Sequence, residues 1–154
     1  MTTDAQIDAM PDANRAESWT ASLGQRILIA DDDPLIRKQL AGLTKRMGLE
    51  PEVYDAGDVA RHALLLPDAP RLALLDWHMP GQLGVDLIAS VRSANGPQYQ
   101  YMILVTTRCD RESCREGLAA GADDFLMKPV DILELEHRIR NGLRVLSLED
   151  RLVF

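Results

Sequence analysis

From Gln25 onward, short apolar runs alternate with helix-patterned stretches, and this alternation limits the chain to a parallel sheet built from βαβ units. Strands are expected at 26–30, 52–54, 72–75, 101–105 and 124–127. The first helix takes Asp33 as its N-cap and Pro34 as its first residue. It places Ile36, Leu40, Leu43 and Met47 on one face and ends at Gly48. The second covers 58–66 before Pro67, the third 84–94 before Asn95-Gly96-Pro97, and the fourth 111–120 before Gly121. The fifth starts at Asp131 and repeats Ile132, Leu135, Ile139, Leu143 and Leu146 at three- and four-residue spacing. The runs at 27–30, 72–75 and 102–105 are apolar on both faces, which marks central strands covered by helices on both sides.

At 154 residues the chain holds one α/β domain. A net charge of −7, with no Lys/Arg cluster and few aromatics, leaves no footprint for direct nucleic-acid binding. No apolar run nears the ~20 residues of a membrane span. Residues 1–24 are Ala-, Asp- and Thr-rich, lack the order of a signal peptide, and read as a mobile N-terminal tail in which Trp19 is the one large aromatic. Cys109 and Cys114 lie five residues apart, and His62, His78 and His137 are scattered singly. These are free thiols in a reducing compartment rather than zinc ligands, so the expected location is cytoplasmic.

Four of the strand-like runs end in polar groups. The first leads into Asp31-Asp32-Asp33, the third into Asp76, the fourth into Thr106-Thr107 and the fifth into Lys128-Pro129. In an open α/β sheet the ligand crevice lies outside the carboxyl ends of the strands, so these groups converge on one edge. Asp33 is accounted for as a cap, whereas Asp31 and Asp32 precede it. Carboxylates held close together raise one another's pKa unless a counter-charge is present. An all-oxygen set suits Mg²⁺, which keeps several waters. Lys128 adds a fixed positive charge and Thr106 a hydroxyl donor. Asp76 is then placed to attack phosphorus, with Mg²⁺ and Lys128 offsetting charge on the transferred group.

These residues, in this order, resemble the receiver domain of two-component response regulators over residues 25–146. The intervals also agree: 45 residues from Asp31 to Asp76, 30 from Asp76 to Thr106, and 22 from Thr106 to Lys128. The resemblance implies a doubly wound, flavodoxin-like (βα)5 fold with a five-stranded parallel sheet in the order 2-1-3-4-5. It makes Asp76 the phosphoacceptor, and Asp31, Asp32, Asp76 and the backbone carbonyl of His78 the Mg²⁺ site. Thr106 becomes the switch hydroxyl, Phe125 the switch aromatic and Lys128 the phosphoryl-binding lysine. The side chain of His78 is expected at the pocket mouth. A histidine kinase or phosphotransfer protein would supply the phosphate, and no turnover of an external substrate is implied. The face built from helix four, strand five and helix five would change partners, with a homodimer through that face or through the last helix among them.

Three positions depart from the common pattern. Phe125 lacks the hydroxyl that tyrosine would offer, Thr107 is larger than the usual residue there, and Arg108 adds a charge at the rim. The expected domain spans 25–147. Residues 148–154 extend the last helix, and Val145, Leu148 and Leu152 form a stripe off its core face, fitting the start of a coiled-coil linker. Two alternatives are weaker. A haloacid-dehalogenase-like phosphatase also uses Asp, Mg²⁺, Thr and Lys, but its nucleophile heads the first strand and is followed at the fifth place by Thr or Val, where this chain has Leu35. A phosphate-independent pseudo-receiver usually lacks an acid or the lysine, and none is missing here.

Overall fold

Strand pairing follows the apolar runs. The computed structural model describes residues 25–107 and 110–152. Among them β1 (Arg26–Ala30), β2 (Glu50–Tyr54), β3 (Leu72–Asp76), β4 (Tyr101–Thr106) and β5 (Asp124–Met127) form one parallel sheet in the order β2-β1-β3-β4-β5. The connections are α1 (Pro34–Arg46), α2 (Gly57–Leu64), α3 (Gly84–Ala94) and α4 (Arg111–Ala120), and α5 (Ile132–Leu152) follows β5. The expectations for the 1–24 segment and Trp19, for Arg108 and Cys109, and for residues 153–154 lie outside the described residues. No described helix is long and apolar enough to cross a membrane.

Alternate residues of the three central strands feed two cores. Leu28, Ala73, Leu75, Met102 and Leu104 pack with Ala60, Leu64, Leu87 and Ile88 of α2 and α3. Ile27, Ile29, Leu72, Leu74 and Ile103 pack with Leu40 of α1 and Leu135, Ile139 and Leu146 of α5. Both faces of the sheet are thus covered, which explains why these strands are apolar throughout.

The elements differ from the sequence expectation mainly at their ends. β2 begins at Glu50, two residues early, because its backbone pairs with all of β1, from Arg26↔Glu50 to Ala30↔Tyr54. As an edge strand it accommodates Pro51 and an exposed Val53. α2 runs from Gly57 and ends at Leu64 rather than reaching residue 66. Ile132 is half exposed and leaves the core stripe of α5, while Val145 packs against that core instead of joining an outer stripe. Leu148 and Leu152 stay exposed on the last turns, and Arg71 holds Asp150 at 2.8 Å there.

At the foot of the sheet Arg92 ties several elements together. It donates to the carbonyls of Gln100 (2.7 Å) and Gly121 (2.9 Å) and pairs with Asp123 at 2.6 Å. Its guanidinium lies over the Tyr99 ring, 4.7 Å from the centroid. Burial, reinforced by the neighbouring Asp123, pushes the Tyr99 hydroxyl up to about 12.

The expected start of α1 is borne out, since the Asp33 carboxylate accepts from the Leu35 amide at 2.9 Å with Pro34 in the first turn. Asp33→Ala should therefore lower stability by about 1 kcal/mol in urea unfolding, while Asp33→Asn, an equally good cap, should leave it nearly unchanged. Equal midpoints for the alanine variant and the parent protein would contradict that role.

Candidate functional site

The sheet register brings the polar strand ends level with one another. Ala30 pairs with Leu75, Asp76 with Val105, and Thr106 with Met127. Asp31 therefore emerges beside Asp76, and Lys128 emerges beside Thr106, whose carbonyl accepts from the Lys128 amide at 2.9 Å. Further backbone bonds fix these ends, from Asp31 N–H to the Tyr54 carbonyl (3.1 Å) and from Trp77 N–H to the Val105 carbonyl (3.1 Å).

Asp31, Asp76 and Thr106 are buried, whereas Asp32 and His78 are exposed. Lys128 reaches in between the buried acids, with its Nζ 2.9 Å from Asp31 Oδ2 and 3.2 Å from Asp76 Oδ1. Asp31 Oδ1 accepts from the Asp33 amide at 2.9 Å. Asp31 Oδ2 has the lysine as its ion-pair partner but receives no well-aligned hydrogen bond. Asp31, Asp32 and Asp76 each offer one oxygen, and the three atoms lie within 4.8 Å of one another.

The electrostatics follow from this packing. Burial, and then the charge of Asp31, raise Asp76 to about 6 from an ordinary 3.8; Lys128 and the backbone amide of His78 act in the opposite direction. Burial alone lowers the Lys128 pKa, but contact with Asp31 and the charge of Asp76 outweigh it, so the group is raised and remains cationic. One cation thus serves two buried carboxylates, and an exposed third carboxylate stands within bridging distance.

The flanking residues divide along the same line. Thr107 points outward, so Thr106 is the hydroxyl inside the fold. The His78 ring stacks on buried Trp77, with centroids 6.4 Å apart and 27° between planes. Phe125 is half-buried against the core and meets α4 at Gly117, where an added Cβ would lie 2.6 Å from the ring. Sequence reasoning overlooked Arg37, which donates to the Asp31 carbonyl at 2.8 Å. The available signal was its place one turn beyond the Asp33 cap, on the side of α1 that starts at the site.

Comparison with known proteins adds the family. The model of the response regulator receiver domain matches residues 27–140. The chain belongs to the response regulator receiver family. The DNA-binding response regulator MtrA of Mycolicibacterium smegmatis is 35% identical over 125 residues, covering 80% of this chain and 52% of MtrA. The phosphate regulon transcriptional regulatory protein PhoB of Escherichia coli K12 is 31% identical, with 81% and 54% covered. This receiver therefore spans about half the length of the curated relatives it matches. A CheY-like receiver domain protein from Methanospirillum hungatei superposes with a TM-score of 0.73 at 28% identity, covering 81% of this chain and 98% of that one. The expected five-stranded parallel receiver fold is borne out in order and direction.

Proposed function

We propose that this receiver is switched by phosphorylation of Asp76. The observation that carries the reading is the pair of buried carboxylates sharing Lys128 at the carboxyl edge of the sheet, with Thr106 buried beside them. An Asp76 carboxylate oxygen attacks the phosphorus of a phosphohistidine on a histidine kinase or phosphotransfer protein. The O–P bond forms as the P–N bond breaks, and the imidazole regains a proton. Lys128 exchanges its contact with Asp76 for one to a phosphoryl oxygen, and Thr106 donates its hydroxyl to another.

The donor set fits Mg²⁺. Asp31, Asp32 and Asp76 converge within 4.8 Å, Asp31 Oδ2 is buried without an aligned hydrogen bond, and all the donors are hard oxygens. These three and the His78 carbonyl would hold the ion, which supplies charge neutralisation at the phosphoryl group. Phe125, against Gly117 of α4, carries the change to the α4–β5–α5 face, where a partner protein or a second copy is read out. The domain itself is residues 25–147. The whole chain's net charge of −7 argues against direct DNA contact by it, a contact that MtrA's name assigns to that protein.

Incubation with Mg²⁺ and acetyl phosphate should add one phosphoryl group, seen by intact mass or phosphate-affinity gel. Asp76→Asn should abolish the product, while Asp33→Asn, which keeps the helix cap, should retain it. Undiminished labelling of Asp76→Asn would sink the assignment. Multiple turnover of a phosphomonoester would instead favour the phosphatase alternative.

A further inference from the structure

We infer that the first turn of α2 positions the metal-binding loop, with Gly57 as the positioning residue. This rests on the reading of Asp31, Asp32, Asp76 and the His78 carbonyl as a divalent-cation site.

The loop between β3 and α3 carries His78 and runs on through Pro80, Gly81 and Gln82. α2 starts without any side-chain cap: Ala56 occupies the N-cap position, and only its backbone carbonyl is engaged, accepting from the Ala60 amide at 3.2 Å. The Pro80 carbonyl accepts from the Gly57 amide at 2.9 Å in its place. A helix start leaves its first amides needing partners, so the loop does for α2 what a capping side chain does elsewhere.

The contact is interlocked from both sides. A Cβ on Gly57 would lie 2.0 Å from the Gln82 carbonyl oxygen and 2.8 Å from its carbon. Those are backbone atoms, so rotation of a side chain cannot relieve the overlap, and the loop itself must move. In the opposite direction, Gly81 sits at φ +85, where a Cβ would meet Asp58 Oδ1 at 2.4 Å. Asp58 is held to its own turn through the Val59 amide at 3.0 Å. The loop can approach α2 this closely only with a glycine on each side.

His78 is two residues upstream of Pro80, so a displacement that separates Gln82 from residue 57 is transmitted along a short, hydrogen-bonded stretch to the His78 carbonyl. Coordination by Mg²⁺ tolerates little deviation from octahedral geometry. Gly57 thus acts on the cation through the loop and touches no reacting atom.

The test is Mn²⁺ binding, followed by the electron paramagnetic resonance signal of the free ion. Gly57→Ala should weaken binding at least fivefold while the circular dichroism spectrum stays native. Gly42→Ala, where an added Cβ meets nothing within 4 Å, should bind like the parent protein. So should Ile139→Val, which loosens a core remote from the loop. A folded Gly57→Ala protein with parental affinity overturns the inference and leaves the metal site standing. Absence of Mn²⁺ binding by the parent protein overturns the metal reading and this inference with it. Where Gly57→Ala does not fold, amide exchange in the parent protein decides: saturating Mg²⁺ should slow exchange at Gly57 at least fivefold, and an unchanged rate refutes the coupling.

Discussion

Replacing Lys128 by methionine is expected to destabilise the metal-free protein by about 3–5 kcal/mol at pH 7, the usual cost of removing one partner from a buried ion pair. Lys128 Nζ lies 2.9 Å from Asp31 and 3.2 Å from Asp76, and both acids are almost wholly buried. Methionine keeps the aliphatic volume but leaves two adjacent carboxylates without a counter-charge. The melting temperature should fall by roughly 10 °C. The deficit should shrink toward pH 5, because Asp76 already takes up a proton near pH 6 and takes it up more readily without the lysine. In the parent protein the sign is opposite for the cation. Its pKa is raised above 10.5, so the stabilisation is complete below that value and fades as pH climbs through the higher folded value. Urea unfolding in EDTA at pH 5 and pH 7 measures the deficit of the methionine variant and its reduction in acid, and a series through pH 11 measures the fading of the lysine's contribution. A methionine variant within 1 kcal/mol of the parent at pH 7 would contradict the shared-cation reading.

Asp76→Asn is expected to act in the opposite direction on stability while removing the proposed phosphorylation site. Holding Asp76 near 6 rather than 3.8 means the fold disfavours its ionised form. At about 1.4 kcal/mol per pKa unit this amounts to roughly 3 kcal/mol at neutral pH. That figure is already net of the Lys128 contact; the asparagine amide reproduces only part of the hydrogen bonding of a protonated Asp76, so the gain should be about 1–2 kcal/mol. The pH dependence carries the sign. The native state binds the proton more tightly than the unfolded chain between about pH 4 and pH 6, so parent stability falls as pH rises through that window and levels off above it. The asparagine variant should lack this fall. Millimolar Mg²⁺ should stabilise the parent more than the variant, since it neutralises a repulsion the variant no longer has. An asparagine variant less stable than the parent in EDTA at pH 7 would refute the strain on Asp76.

Much of this was legible in the residues because parallel sheets impose simple patterns. Double-sided apolar runs at 27–30, 72–75 and 102–105 identify central strands, and the rule that ligands gather at strand carboxyl ends collects Asp31, Asp76, Thr106 and Lys128 without any coordinates. β2 was misjudged at its start because Glu50 and Pro51 join the sheet through backbone pairing with β1, which side-chain hydrophobicity does not report. Ile132 and Val145 exchanged roles because the period of a helix fixes relative angles but not which edge of the stripe meets the sheet. The choice of Thr106 over Thr107 followed from spacing alone and agrees with burial. Arg37 could have been found from its place one turn beyond the Asp33 cap, whereas the contact between Gly57 and Gln82 was not readable, since it depends on how two elements distant in sequence come to lie side by side.

The placement of Lys128 directly after the last strand has a consequence for how the molecule comes into being. A chain made from its N-terminus presents Asp31 and Asp76 well before their cation exists, and β5 must dock on β4 before Lys128 can reach them. Until then the two acids favour staying apart in water, so the sheet's interior edge has no electrostatic reason to close early. Completion of the final edge supplies that reason. The cation that the two buried acids share is thus delivered by the final edge of the sheet, and the proposed phosphoacceptor pocket is complete only with β5 in place.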